Sequence, residues 1–359
     1  MTTFLPSCNV SKTRENDYHQ RVNMTFERRD VDRKILSILR VLQTSREPVG
    51  GRLIALQLKD HGVVLSERAV RYHLKIMDER GLTTLKGNQD GRIITDKGLA
   101  EIKNALVKDK VGFAITKIEL LAFRTTFDYV EWNGNVPLNV SFFSNSDFDK
   151  AIRAMKPAYD QGFCASQLIA VAKAGEYIGD LLVPEGQIGL GTVCSIVING
   201  ALLKAGVPMD SRFSGILQLV DYKPIRFTEI INYDGCSLDP TEIFIKARMT
   251  SVNKTIATGE GEILANFREI PAMCIPVVET VLKGLKRAGI EGVLMKGPPS
   301  EPVCEVAVAP NKVGLILVGG LNPVAAAQES GIEAENHSMS TVVDYHCLIK
   351  FSELIGEGN

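Results

Sequence analysis

No stretch of this chain approaches the ~18 consecutive apolar residues that a membrane-spanning helix needs. The N-terminus also lacks the basic, apolar and small segments of a secretory signal. Both absences point to the cytoplasm. No C-x-x-C occurs, and the seven cysteines stand singly at Cys8, Cys164, Cys194, Cys236, Cys274, Cys304 and Cys347. An odd, scattered set argues against a disulfide framework and a structural zinc site, and for reduced, mostly buried thiols. His346–Cys347 is the one His/Cys neighbour pair, so no metal and no cofactor are expected. There is no G-x-x-x-x-G-K-[ST] phosphate loop and no G-x-S-x-G elbow. The best-placed nucleophile, Cys194, has no histidine near it in sequence, so a structural thiol is the expected role and an enzyme is the weaker reading.

Charge of one sign is lacking only on average. The net charge is −1, but the first 110 residues carry about +7 and the remainder about −8. A basic front and an acidic back fit a nucleic-acid reader joined to a domain that does not touch nucleic acid. At 359 residues, two or three domains are expected. Residues 1–29 are polar and aperiodic, which predicts a disordered arm.

Residues 30–108 predict a winged helix-turn-helix. Val31, Ile35, Ile38, Leu39 and Leu42 form a first amphipathic pattern, and Pro48, Gly50 and Gly51 break it. Leu53, Ile54, Leu56 and Leu58 form a second, ending near His61–Gly62. Ser66 then suits an N-cap. Val70, Leu74 and Met77 share one face of the third helix, and Arg68, Arg71, Tyr72 and Lys75 share another. Gly81 suits the C-terminal stop. Leu82–Leu85 and Arg92–Thr95 read as short strands around a polar turn ending in Asp90–Gly91. Thr95 or Asp96 caps a last helix through Leu99, Ile102 and Leu106.

The third helix of such a unit normally enters the major groove. Candidate DNA contacts are therefore Ser66, Arg68, Arg71, Tyr72 and Lys75, with Lys86, Asn88, Gln89 and Arg92 on the wing. Arg68 and Arg71 suit bidentate guanine contacts; Tyr72 and Lys75 suit the backbone. One winged helix reads only a short half-site, so a homodimer on a palindromic double-stranded operator is expected. A solvated amphipathic helix and a protein-interaction module are the competing readings.

Beyond Lys110 glycine, valine, isoleucine and alanine become frequent. Val111–Phe123 reads as a helix, and Arg124–Tyr129 and Val136–Phe143 as strands of a hairpin around Asn133–Gly134. An internal repeat follows. Ile188–Val207 aligns without gaps to Val313–Ile332, matching Gly189 to Gly314, Leu190 to Leu315, Val193 to Val318 and Gly206 to Gly331. With flanking matches the copies span about 154–222 and 281–345. Each reads helix, strand, strand, helix, strand. A duplicated α/β unit predicts two lobes about a pseudo-twofold axis, with a cleft suited to a small molecule. Overall the chain reads as multidomain α+β: a winged helix-turn-helix followed, over 110–350, by an α/β regulatory domain of two similar halves.

ERAVRYHLKIMDERGLT, GRIITDKG, GFAITKIELLAFRTTFD, GTVCSIVINGALLKAGVP, INYDGCSLDP, ILANFREIP and VGGLNPVAAAQESGIE, in this order, resemble the nitrogen-regulatory repressor family NrpR, from about Asp32 to Tyr345. The resemblance implies a ribonuclease-R-like winged helix and an NrpR regulatory domain, and the ribonuclease-R likeness makes an RNA-binding winged domain an alternative. It implies a repressor of nitrogen-assimilation genes whose operator binding is weakened by 2-oxoglutarate. Some members carry two tandem regulatory domains; this chain reads as one, which leaves room for a second NrpR-domain protein as partner and for a different ligand. A dicarboxylate needs cations and donors to replace its water. Thr192, Ser195, Asn199, Arg226, Thr250, Ser251, Asn266 and Arg268 are the candidates. The bland alternatives are ion pairs of Arg226 and Arg268 with Asp234, Asp239 or Glu269, and helix caps at Asp239, Thr250 and Ser251. Gly189/Gly191 and Gly319/Gly320 suit either an anion's approach or tight turns.

Overall fold

The computed structural model describes residues 31–355 except 33, 44, 46, 61–62, 87–90 and 105–111. The expected arm over 1–29 lies outside the described residues. The chain divides into two compact units, Met1–Asp109 and Lys110–Asn359.

In the first unit, helix α1 takes in 31–32 and 34–43, followed by α2 (Gly51–Asp60) and α3 (Glu67–Glu79). Ile35, Ile38, Leu39, Ile54, Leu58, Val70, Leu74 and Met77 close one core. Leu53 and Leu56, expected in the apolar face of α2, are exposed instead. Ile54 and Leu58, four apart, are the stripe that faces inward, and Leu53 and Leu56 fall off it. Gly81 (φ 71) takes the left-handed stop after α3. Strands β1 (Thr83–Leu85) and β2 (Arg92–Ile94) pair antiparallel, and Val49 bridges to Arg92 as a third short arm. Thr95 Oγ1 accepts from Gly98 N at 3.1 Å and so caps α4 (Asp96–Asn104).

The second unit begins with α5 (Phe113–Arg124). The strand expected over Arg124–Tyr129 does not form. Asp128 Oδ1 accepts from Val130 N and Glu131 N and closes a turn instead. Trp132 and Gly134 sit at positive φ, and only an Asp128–Asn133 bridge remains of the hairpin. Then come β3 (Asn135–Ser144), α6 (Phe148–Asp160), β4 (Leu168–Lys173), the small β5 (Tyr177–Ile178) and β6 (Leu181–Leu182), β7 (Gln187–Val193), α7 (Ile196–Lys204) and β8 (Asp210–Val220). Edge strand β9 (Lys223–Asn232), α8 (Pro240–Lys246) and α9 (Val252–Thr258) lead to the second half. That half holds β10 (Gly261–Pro271), α10 (Ile275–Arg287), β11 (Val293–Lys296), β12 (Lys312–Val318), α11 (Asn322–Glu329) and β13 (Glu335–Asp344). β14 (Ile349–Lys350) and α12 (Phe351–Leu354) end the described chain.

The two repeated segments share their element order, but they do not form two independent lobes. One sheet runs β13-β3-β7-β4-β14 and the other β11-β12-β10-β8-β9. The last strand of each half therefore leaves its own sheet: β8 pairs with β10, and β13 with β3. All strand pairings of these sheets are antiparallel. The helices exchange likewise, α6 packing on α11 and α7 on α10. This reciprocal exchange seats the two helix-entry turns, Val193–Ser195 and Gly319–Leu321, against each other. A Cβ on Gly320 would lie 2.7 Å from Val193 O, so the approach needs glycine there.

Candidate functional site

The reading helix α3 is built as its spacing predicts. Ser66 Oγ accepts from Ala69 N at 3.2 Å, and Val70, His73, Leu74 and Met77 are buried. Arg68, Arg71, Tyr72 and Lys75 are all exposed on the other side, Tyr72 at 62 %. Arg71 Nη2 lies 2.8 Å from Glu67 Oε1, one turn back. An exposed i,i+4 pair of this kind is worth about 0.3–0.5 kcal/mol, which an incoming phosphate or guanine easily replaces.

The wing needs correction. Arg92 does not project from its tip: Nε lies 2.8 Å from Asp78 Oδ2, and its side chain is mostly buried. Asp78 also accepts from Thr83 Oγ1 at 2.6 Å. Arg92 thus ties β2 to the end of α3 and is a scaffold group. Lys86 is exposed. Asn88 and Gln89 lie outside the described residues.

In the second unit the eight ligand candidates separate. Ser195, Asn266 and Arg268 line one small cleft, together with Asn139, Cys194, Tyr233, Asp239, Gly319, Gly320 and Ser338–Met339. Arg268 is 1 % exposed on β10. Its guanidinium stands 5.0 Å over the Tyr233 ring, Nη1 donates to Phe267 O at 3.4 Å, and Nε has no partner. Among the described residues no carboxylate lies within ion-pair distance of it. Asn266 Oδ1 accepts from Tyr233 Oη at 2.5 Å, and Asn266 Nδ2 is 3.5 Å from Ser195 Oγ. Thr192 is one layer back, its hydroxyl 3.5 Å from Asn139 Nδ2.

The other four stand elsewhere. Asn199 lines a separate cavity and donates to Ser211 Oγ at 3.0 Å. Arg226 is exposed on edge strand β9 and donates to Gln218 Oε1 at 3.0 Å, so it is neither a cleft residue nor an ion pair. Thr250 Oγ1 donates to Glu329 Oε1 at 2.8 Å. That carboxylate also accepts from Val252 N and Asn253 N, capping α9 from another helix. Ser251, the expected cap, instead accepts Glu262 N at 2.8 Å. Gly189 and Gly191 are mid-strand positions where a Cβ would strike Val183 and Leu138, so they serve packing. Glu269, an expected partner of the arginines, pairs with Lys312 at 3.2 Å.

Asp239 has two roles. Its Oδ1 accepts from Thr241 N at 2.9 Å as the cap of α8, while Oδ2 is buried in the cleft without a partner. The residue as a whole is half-buried but its carboxyl is enclosed, and this burial, reinforced by nearby Glu242, raises its pKa above the usual carboxylate value. Burial also pushes the Cys194 thiol up to about 11, which keeps it protonated and suits a structural group. Asn139 is one of the cleft residues that sequence reasoning missed, with Tyr233 and Ser338. It occupies β3, opposite Thr192, as Asn266 occupies β10, opposite Leu317. Extending the repeat one strand upstream would have exposed the pair. Met339 was missed too: it has φ 48 and its N donates to Asn139 Oδ1 at 2.9 Å, inside the β13 bulge.

The cleft thus gathers a buried guanidinium and the N-termini of α7 and α11, all of which favour an anion. Its volume is about 20 Å³, room for about one water. The description "NrpR regulatory domains NRD1 and 2" matches residues 111–350, and that of a ribonuclease R winged-helix domain matches 36–102. The chain belongs to the NrpR family. It is 39 % identical over 318 residues to the global nitrogen regulator NrpRI of Methanosarcina mazei, covering 89 % of this chain and 98 % of that one. It is 31 % identical to the global nitrogen regulator NrpR of Methanococcus maripaludis, covering 88 % of this chain and 55 % of that one. The NrpR of Methanocaldococcus jannaschii is 32 % identical, with 90 % and 56 % covered. The chain therefore spans about half the length of these last two relatives. A solved nitrogen repressor-like protein from Methanococcus jannaschii superposes with a TM-score of 0.57 at 27 % identity, over 66 % of this chain and 98 % of that one. As an NrpR-family chain with a winged helix, the protein is a nitrogen transcriptional regulator, not an enzyme.

Proposed function

We propose that this chain is a cytoplasmic repressor of nitrogen-assimilation genes that binds a palindromic double-stranded operator as a homodimer and is released by 2-oxoglutarate. Arg68 and Arg71 of α3 read bases in the major groove, with Tyr72, Lys75, Lys86 and the Ser66 end of the helix on phosphates. The observation that carries the effector half is Arg268, a buried guanidinium with no carboxylate partner among the described residues. A buried cation without a counter-ion is costly, and an anionic ligand supplies the missing charge. One carboxylate of 2-oxoglutarate pairs with Arg268 and the turn at Ser195.

The small volume of the cleft bears on the mechanism. A five-carbon dicarboxylate fits only if the turns at Val193–Ser195 and Gly319–Leu321 separate. The ligand then binds the separated state more tightly than the closed one, and that difference bounds how far it shifts the protein. Lys117 of α5 donates to Ser338 O at 2.8 Å on the cleft wall, so the helix that opens this unit is tied directly to the cleft. We also propose a second NrpR-domain protein as partner, because this chain spans only about half the length of two of its relatives. The deciding experiment is operator binding by fluorescence anisotropy at fixed salt, with and without 2-oxoglutarate, with RNA of the same sequence as the control. Release by 2-oxoglutarate that disappears in Arg268→Met supports the reading. Preference for RNA, or operator binding indifferent to the ligand, overturns the corresponding half.

A further inference from the structure

The regulatory unit holds a second cavity, of about 490 Å³, that shares no lining residue with the Arg268 cleft. That volume lies within the usual range of small-molecule sites. One wall is a face of α5, where Ile115, Ile118, Glu119 and Ala122 recur at helical spacing. Leu203 and Met209 extend its apolar surface. Against this wall stand polar groups of one character. Asn199 is 5 % exposed, lines the cavity, and its Oδ1 is buried with no hydrogen-bond partner. Asp210, Asp234 and Glu119 bring three carboxylates against the single cation Arg212. Asp210 is committed to Lys312 at 3.0 Å and to Arg212 at 3.4 Å. Glu119 and Asp234 form no ion pair among the described residues.

The cavity thus presents two carboxylates without an ion-pair partner among the described residues and an aliphatic wall. We propose that it binds a small aliphatic amine as its ammonium ion. The ammonium head has three donors and no acceptor. It donates to the carboxylates of Glu119 and Asp234 and is held by their charges. The methylenes lie on the α5 wall. A diamine matches the two carboxylates. The site does not rest on the effector reading, since neither residues nor charge are shared with the cleft.

The test is calorimetry of the full chain with putrescine at constant ionic strength, with magnesium chloride as a second titrant. A saturable one-site isotherm is expected. Glu119→Lys, on the exposed face of α5, should weaken it about tenfold or more, by losing one attraction and adding one repulsion. Glu131→Lys makes the same charge change on a distant exposed turn and should leave it unchanged. Asp234→Asn should also weaken it, by removing the second carboxylate charge; the Glu119/Glu131 comparison decides. No saturable heat at millimolar putrescine overturns the proposal. So does equal weakening by both lysine variants, which would report general charge screening. A magnesium isotherm with the same dependence on Glu119 overturns the amine assignment in favour of a bare cation site.

Discussion

Replacing Arg268 by methionine should make this protein more stable while depriving it of its effector response. The guanidinium is 1 % exposed and has no carboxylate partner among the described residues. An uncompensated buried cation costs several kcal/mol. Against that stand a cation–π contact with Tyr233 at 5.0 Å, worth about 1–2 kcal/mol, and a long bond to Phe267 O at 3.4 Å, worth at most about 1 kcal/mol. Methionine is unbranched, adaptable and apolar, so it fills much of the same space with no charge to solvate. The balance favours methionine by about 1–3 kcal/mol. For a unit of this size that raises the melting midpoint by roughly 3–10 °C. Thermal unfolding followed by circular dichroism measures it directly, and operator release by 2-oxoglutarate is measured on the same sample. A loss of more than about 2 kcal/mol would refute the reasoning. Arg268 would then be a satisfied structural group, and its place in the cleft would carry no functional meaning.

Arg71→Ala should abolish operator binding in a gel-shift titration without changing the melting curve, because its side chain is exposed and its pair with Glu67 is a surface one. Arg92→Ala should do the reverse in kind, destabilising the winged helix by about 1–2 kcal/mol through the loss of Asp78's partner. Asp239→Asn should stabilise the protein near neutral pH. The folded-state pKa is raised, so the native carboxyl holds its proton more tightly than the unfolded one, and stability falls as pH rises from the unfolded value through the folded one. Asparagine keeps the cap and lacks that fall, so the gain should shrink in acid; melting midpoints at both pH values check it. Glu329→Ala should cost about 1–2 kcal/mol in denaturant titration by uncapping α9 and leave effector response intact.

The winged helix was nearly legible from local chemistry. The cap at Ser66, the stripe through Val70, Leu74 and Met77 and the stop at Gly81 all act within one or two turns of chain. Arg92 was misjudged because its partner, Asp78, lies on another element. The same distinction runs through the regulatory unit. The repeat was visible as matched glycines and valines, but the exchange of β8 and β13 between the sheets was not. Strand pairing is non-local, and neither strand carries a mark naming its neighbour.

Arg226 and Arg268 show the boundary most clearly. Both lie on strand-like, charge-poor segments, and no local rule separates them. β10 is interior, between β8 and β12, so Arg268 is sealed in the cleft; β9 is an edge, so Arg226 meets water. Thr250 and Ser251 look like one capping pair in sequence, yet Glu329 from α11 takes the cap. The sequence by itself determined the reading helix, the duplicated half and the family, because periodicity, capping and ordered motifs are properties of neighbouring residues. Only the tertiary structure decided which polar groups converge, because burial and counter-charge are set by whichever strands and turns pack beside them.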